Sequence, residues 1–295
     1  MIYPNDKNPI HEKITIRKPL TKLNESIPIH WLDGNIFKTH IGNALSIIFP
    51  NTENYFVNTI KKFLPVIRNP RLNRDIQSFI GQEIQHKGQH ENIWELLESQ
   101  GFVISNFVKV YEFFILRTWQ SIIPDELNLS IIAGIEHFNT IFAEISIEED
   151  LFKNSDPNMK EIFEWHLAEE LEHKNVAYDV LQEVNDSYFL RLQGMIIAYI
   201  LIMTAMGSAN LHLLLQEDPR NWQRIFKEGK DFLFVRDKIS MKLFSRFIDY
   251  FKPEFHPAQS KTHHLVDKII LSMKFEPILN KNAANSINST RENIS

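Results

Sequence analysis

The sequence predicts an all-α protein: a bundle of four long helices, a crossover helix between the two pairs, and further helices after them. Three observations predict this. Glycine is scarce, nine in 295 residues, while Leu, Ile, Glu and Lys are abundant, a balance that favours helix. Proline falls between long segments whose apolar residues recur with helical spacing. No segment alternates apolar and polar residues over the length of a strand, and there is no Gly-rich phosphate loop.

Residues 1–33 carry Pro4, Pro9, Pro19 and Pro28 with little periodicity and read as an extended arm. The bundle is expected over 34–186. Residues 35–49 read as a short helix stopped by Pro50. A new helix then begins at Asn51 or Thr52, either suited to cap it, and runs to about residue 63, with Glu53 near its start. Pro65 and Pro70 break the chain before a helix over 72–99 that ends at Gly101. Residues 104–120 form the aromatic crossover helix. Pro124, Asp125 and Glu126 open a helix over 125–152, and Asp156-Pro157 cap and start one that runs to about residue 184.

Residues 187–275 read as C-terminal helices packed on the bundle. Within them, 192–216 lack Asp, Glu, Lys and Arg and are long enough to span a membrane. Gln193, Gly194, Thr204, Gly207, Ser208, Asn210 and His212 interrupt the stretch, so a buried core helix is favoured over a span. Residues 252–264 read as a loop, and 276–295, rich in Asn and Ser, as a disordered tail.

Composition narrows the chemistry. The net charge is −5 and no basic run occurs, which argues against nucleic acid as a partner. Cysteine is absent, so disulfides, thiolate metal sites and Cys nucleophiles are excluded. The 22 Phe suggest bulky aromatic packing. The first residues are polar and lack the apolar core of a signal peptide, so a cytoplasmic location is expected, with inner-membrane association through 192–216 as the alternative.

Two segments carry a Glu followed three residues later by a His, a spacing that places both on one helix face. With Glu83 at zero, His86 lies at roughly −60° and His90 at roughly −20°. With His166 at zero, Glu170 lies at roughly +40° and His173 at roughly −20°; Glu169 falls at roughly −60°, the edge of that face, and Glu172 points away. Glu136 sits in Ile131-Ile132-Ala133-Gly134-Ile135-Glu136-His137-Phe138, where a carboxylate needs a partner and a metal is a good one. His137 lies roughly 100° round from Glu136 and is not expected to ligate. His256, His263 and His264 lack an accompanying carboxylate spacing and read as loop or surface residues.

Glu53, Glu83-x-x-His86, Glu136 and Glu170-x-x-His173 resemble the ligand frame of ferritin-like di-iron carboxylate proteins. His166, four residues before Glu170, makes the last helix resemble the arylamine N-oxygenase branch, whose site uses three His and four Glu. The para-aminobenzoate-forming di-iron oxygenases are similar there. The resemblance implies seven metal ligands: Glu53, Glu83, His86, Glu136, His166, Glu170 and His173. It also implies Glu83 and Glu136 as shared ligands, with Glu53 and Glu170 terminal. A longer resemblance rests on Phe49-Pro50, on Trp165-His166-x-x-Glu169-Glu170-x-Glu172-His173-Lys174 and on Phe255-His256-Pro257. It is to an uncharacterised bacterial family described as predicted metal-dependent hydrolases, and it covers about 15–275.

These resemblances imply a binuclear non-haem enzyme that uses dioxygen to oxidise a small organic substrate. The cofactor expected is two iron ions, with manganese or a mixed manganese–iron pair as alternatives and zinc less favoured. A separate electron donor is then expected as a partner. The alternatives are a hydrolase using a water activated by two metals, and a non-catalytic metal-binding helical protein. Oligomeric state and substrate identity have no sequence signal.

Overall fold

The computed structural model describes residues 14–277, so the expected tail beyond 277 and the first part of the arm lie outside the described residues. Four long segments dominate: α1 (Ile36–Phe63), α2 (Pro70–Ser99), α5 (Asp125–Glu148), and α6 (Pro157–His173) followed by α7 (Val176–Val184). Their starts follow local chemistry. The side chains of Asn35, Asn69 and Asp156 each accept from backbone N–H groups of the first turn, and Pro70 and Pro157 begin their helices where no N–H is needed.

Pro50 does not stop α1, contrary to expectation; the helix runs through it, and Asn51 and Thr52 are not caps. A proline removes the N–H that would bond the carbonyl four residues earlier. Here that carbonyl, Ser46 O, accepts instead from Trp94 Nε1 at 2.7 Å. Glu53 is therefore an interior residue of a long helix. The expected single helix over 156–184 is broken after His173, where Lys174 Nζ donates to Ser260 O at 2.7 Å and to Thr262 Oγ1 at 2.6 Å.

Two apolar clusters fill the bundle at different heights. One contains Ile47, Ile93, Ala143 and Phe163; the other contains Phe56, Phe79, Ile132 and Val180. The order in which each helix meets them makes α1 antiparallel to α2 and α5 antiparallel to α6. The segment from α2 to α5 must therefore travel the bundle's length. It does so as α3 (Ser105–Glu112), a π-helical stretch over Phe113–Trp119, and the short α4 (Gln120–Ile122).

The long apolar helix α8 (Tyr188–Leu214) lies along α5 and α1. Its close contact with α5 depends on glycine: a Cβ on Gly194 would stand 2.1 Å from Ser130 Oγ, and one on Gly134 2.9 Å from Ala198 Cβ. The expectation of a buried core helix holds for one stripe only. Met195, Ala198, Ala205 and Ala209 are buried, while Phe189, Ile196, Ile200 and Met203 are exposed. By length and composition α8 could cross a membrane.

Arg191 on α8 ties the following segment to α7, donating to Tyr178 Oη, Phe255 O and Lys252 O. α9 (Trp222–Lys230), α10 (Ile239–Phe247) and α11 (His263–Ile270) complete the helices. The arm and the C-terminal end meet in a short antiparallel ladder, β1 (Arg17–Pro19) with β2 (Phe275–Pro277). Glu276 and Pro277, expected in the tail, pair instead with Lys18 and Arg17.

Candidate metal centre

Between the two apolar clusters lies a layer of buried acid and imidazole. Glu53 comes from α1, Glu83 and His86 from α2, Glu136 from α5, and His166, Glu170 and His173 from α6; all seven are buried. Their ligand-capable atoms form three overlapping groups, each within 4.8 Å: Glu53 with His86 and His166, Glu83 with Glu136 and His173, and Glu83 with His86 and Glu170. The structure therefore brings together all seven residues that the spacing and the resemblance singled out.

Glu170 spans the layer. Its Oε1 lies 2.7 Å from His166 Nε2 and 3.8 Å from His86 Nδ1, while its Oε2 lies 3.3 Å from His173 Nε2. Glu83 belongs to two of the groups. His86 also belongs to two of them, and Glu170 is the carboxylate that faces all three imidazoles.

These side chains fit a cation. His173 Nδ1 lies 3.0 Å from Gln82 Oε1, and the Gln82 amide is oriented by donating to Thr15 O and Glu172 Oε2. His173 must then donate from Nδ1, so that once neutral it offers the lone pair of Nε2. That nitrogen faces Glu83 Oε1, Glu136 Oε2 and Glu170 Oε2 at 3.2–3.3 Å. Three carboxylate oxygens and this imidazole nitrogen thus converge on one point. Both oxygens of Glu53 and of Glu83, Glu136 Oε2 and His86 Nδ1 are buried without a hydrogen-bond partner. Buried polar atoms are almost always satisfied, so such a concentration marks a ligand position. Four carboxylates also balance the charge of two divalent ions.

The bare side chains carry the expected strain in their acidities. Burial, then the Glu170 charge, pushes Glu53 well above the carboxylate range. Burial also raises Glu83 far up, against the pull of His173, and takes Glu136 to about 7. Burial would raise Glu170 too, but His173 and His166 outweigh it and hold it low. Burial, then His166, depresses His86. For His173 burial acts downward, yet Glu170 and Glu136 bring the imidazole well above its usual range.

Each imidazole is held at its other ring nitrogen, as metal-ligating histidines are. Gln82 holds His173. Glu169 Oε2 sits 3.1 Å from His86 Nε2. His90 Nε2 sits 2.6 Å from His166 Nδ1, which places His90 behind His166. Arg17 from β1 donates in a fork to both Glu172 oxygens at 2.7 and 2.8 Å and reaches Glu169 Oε1 at 3.4 Å. Sequence reasoning missed Gln82, Arg17 and the part played by Glu172. Glu169 and His90 had a signal, the first at the edge of its ligand face and the second on the face of Glu83 and His86. Aromatic rings close the layer: Phe79 lies edge-on to His173, Trp165 edge-on to His86, and Phe49 tilted against His166.

His137 lies apart, against Tyr250 and Phe255. His256 pairs with Asp179 at 2.9 Å. A second group, His30, His40 and Glu217, joins the arm to α1 and the end of α8. There, Trp31 Nε1 donates to Asn43 Oδ1 and so turns the Asn43 amide N–H toward His40 Nδ1 at 3.4 Å. That leaves the His40 proton on Nε2, which donates to Glu217 Oε1 at 2.8 Å, with His30 on the same oxygen at 2.9 Å. This group is a hydrogen-bonded latch.

A cavity of about 1000 Å³ reaches the layer at His166 and Glu170. Its wall is almost wholly aliphatic and aromatic, drawn from α1, α5, α8 and α10.

Fold and site define an all-α protein with a buried, carboxylate-rich cluster suited to metal ions. The chain belongs to the family described as predicted metal-dependent hydrolases, whose sequence pattern matches residues 15–261. Comparison with curated proteins finds no match, and comparison with solved structures finds none either.

Proposed function

We propose that this chain is a binuclear metal-dependent enzyme that hydrolyses a largely apolar small molecule. The observation that carries the reading is the set of unpartnered buried oxygens on Glu53, Glu83 and Glu136, in a layer that an apolar cavity reaches at His166 and Glu170. The family description favours hydrolysis over the oxidation expected from ligand spacing. His86, Glu53 and His166 would hold one ion, and Glu136 and His173 the other, with Glu83 and Glu170 between them. Two ions so held supply Lewis acidity and an acidified water. The chain does the rest. Gln82, Glu169 and His90 fix the imidazole orientations. Glu53 and Glu83, free of hydrogen bonds at both oxygens, would keep their lone pairs open to the ions.

A second reading is oxidation of the same kind of substrate with dioxygen at two iron ions, supplied with electrons by a donor. It is favoured by a ligand set of four Glu and three His, which suits iron and manganese, and by a cavity wall that excludes water. One experiment separates them. Protein purified from its own host is assayed for metal, then for turnover of a hydrophobic ester under nitrogen with manganese or zinc, and for oxygen uptake after iron loading. Anaerobic ester turnover that disappears in Glu170→Ala supports hydrolysis. Oxygen uptake with no ester turnover moves the assignment to the second reading. A metal content of zero in protein from the host removes both.

A further inference from the structure

We propose that the compound admitted to this centre is a long, uncharged, chain-like molecule, such as a fatty alcohol or its ester, lying in a channel that opens between α8 and α10. The inference rests on the reading of the cluster as the reactive centre and adds the class of substrate.

The cavity runs from buried residues to exposed ones. Its inner end is Glu170 and His166. Its outer end includes Met203 on α8, Phe234 before α10, Met241 and Phe244 on α10, and Ile248 just after it, with relative exposures of 43%, 59%, 63%, 61% and 48%. An opening framed by large exposed apolar side chains is unusual on a soluble surface and is a common mark of a binding site. At about 1000 Å³ the space stands at the upper end of ordinary ligand cavities, more than a small polar metabolite needs.

Charge decides what kind of molecule fits. Among the described residues no Lys, Arg or Asp lines the cavity, and Glu170 is the one carboxylate, at the metal end. A phosphate, carboxylate or ammonium group held midway would be buried without a partner. Several polar groups of the wall are already engaged. Thr52 Oγ1 donates to Ile48 O and accepts from Tyr111 Oη, Tyr55 Oη donates to Asn128 Oδ1, and Asn139 Nδ2 donates to Glu136 Oε1. Asn210 Nδ2, buried without a partner, is left to meet an uncharged polar group such as a hydroxyl or an ester carbonyl, and nearly all else that remains for a ligand is apolar surface. On α8, Gly207 lines the space, and a Cβ there would meet nothing within 4 Å.

The test titrates dodecanol and shorter alcohols down to hexanol into the metal-loaded full-length protein and follows binding by calorimetry. Affinity should rise about fourfold per methylene, the factor set by burying each one. Gly207→Phe, which fills the channel, should weaken dodecanol binding at least tenfold without changing metal content. Phe244→Asp puts a charge at the exposed mouth, where folding is not at risk, and should weaken the long alcohol more than the short one. Equal affinity for hexanol and dodecanol, or wild-type binding in both variants, overturns the proposal. Elemental analysis of the same samples keeps the two readings apart. Metal bound with no chain-length dependence defeats this inference alone. Chain-length dependence with no metal bound supports the channel and defeats the reactive centre.

Discussion

Gln82 Oε1 accepts the Nδ1 proton of His173 at 3.0 Å, and through that single bond α2 sets which nitrogen α6 presents to the acidic layer. Gln82 is itself held by Thr15 and Glu172, and Glu172 by Arg17. The arm therefore acts on the centre without reaching it.

Gln82→Ala frees the His173 ring and its tautomer. Metal affinity should fall about 10- to 100-fold, the usual effect of losing a partner of a ligating histidine. Competition with a chelator of known affinity measures it. Unchanged affinity would mean that His173 needs no orientation from α2.

Glu83 makes opposite contributions with and without metal. Both oxygens are buried without hydrogen bonds, so in metal-free protein Glu83→Met should raise stability by about 1–3 kcal/mol, the penalty of unsatisfied buried polar groups. The same change should abolish metal binding. Denaturant titration of both proteins after chelation, with metal analysis before it, tests the pair. A destabilised metal-free variant would show that Glu83 has a structural partner.

Trp94 and Pro50 are coupled across two helices. Trp94→Phe removes the donor to Ser46 O and should cost about 1–3 kcal/mol, because a buried acceptor is left unmatched. In a Pro50→Ala background the restored helical N–H can satisfy that carbonyl, so the same substitution should cost less. A double-mutant cycle by denaturant unfolding reads the difference, and strict additivity would refute the coupling.

The latch at Glu217 makes stability fall in acid. Burial lowers the His40 pKa from its usual 6.5, against the pull of Glu217 and with help from His30. The unfolded chain then takes up the proton first, so this contribution is complete above pH 6.5 and is lost as pH falls through the lower folded value. Burial would raise Glu217, but the bonds from His30 and His40 outweigh it, so its contribution is lost at lower pH, below 4.5. His40→Gln should flatten the upper part of this decline. Unfolding measured from pH 7 downward, wild type against variant, cancels the acid sensitivity of the metal centre that both share. Parallel curves would exclude His40.

Whatever follows from helical periodicity and local chemistry was legible in the amino-acid order. Glu83 and His86 share one face of α2, and His166, Glu170 and His173 one face of α6, because three- and four-residue steps return to the same side of a helix. Asn69 and Asp156, each followed by proline, mark helix starts by the bonds they make within a few residues. Tertiary structure decided whatever depends on a partner far along the chain. Pro50 reads locally as a stop, and only Trp94, from another helix, makes a continuous α1 affordable and puts Glu53 in its interior. Gln82 and Arg17 have no periodic signature, since their roles come from α6 and β1 lying beside α2. The one-sided burial of α8, and with it the channel to His166 and Glu170, was fixed by packing against Gly134 and by α10, because an apolar helix does not state which of its faces will be covered.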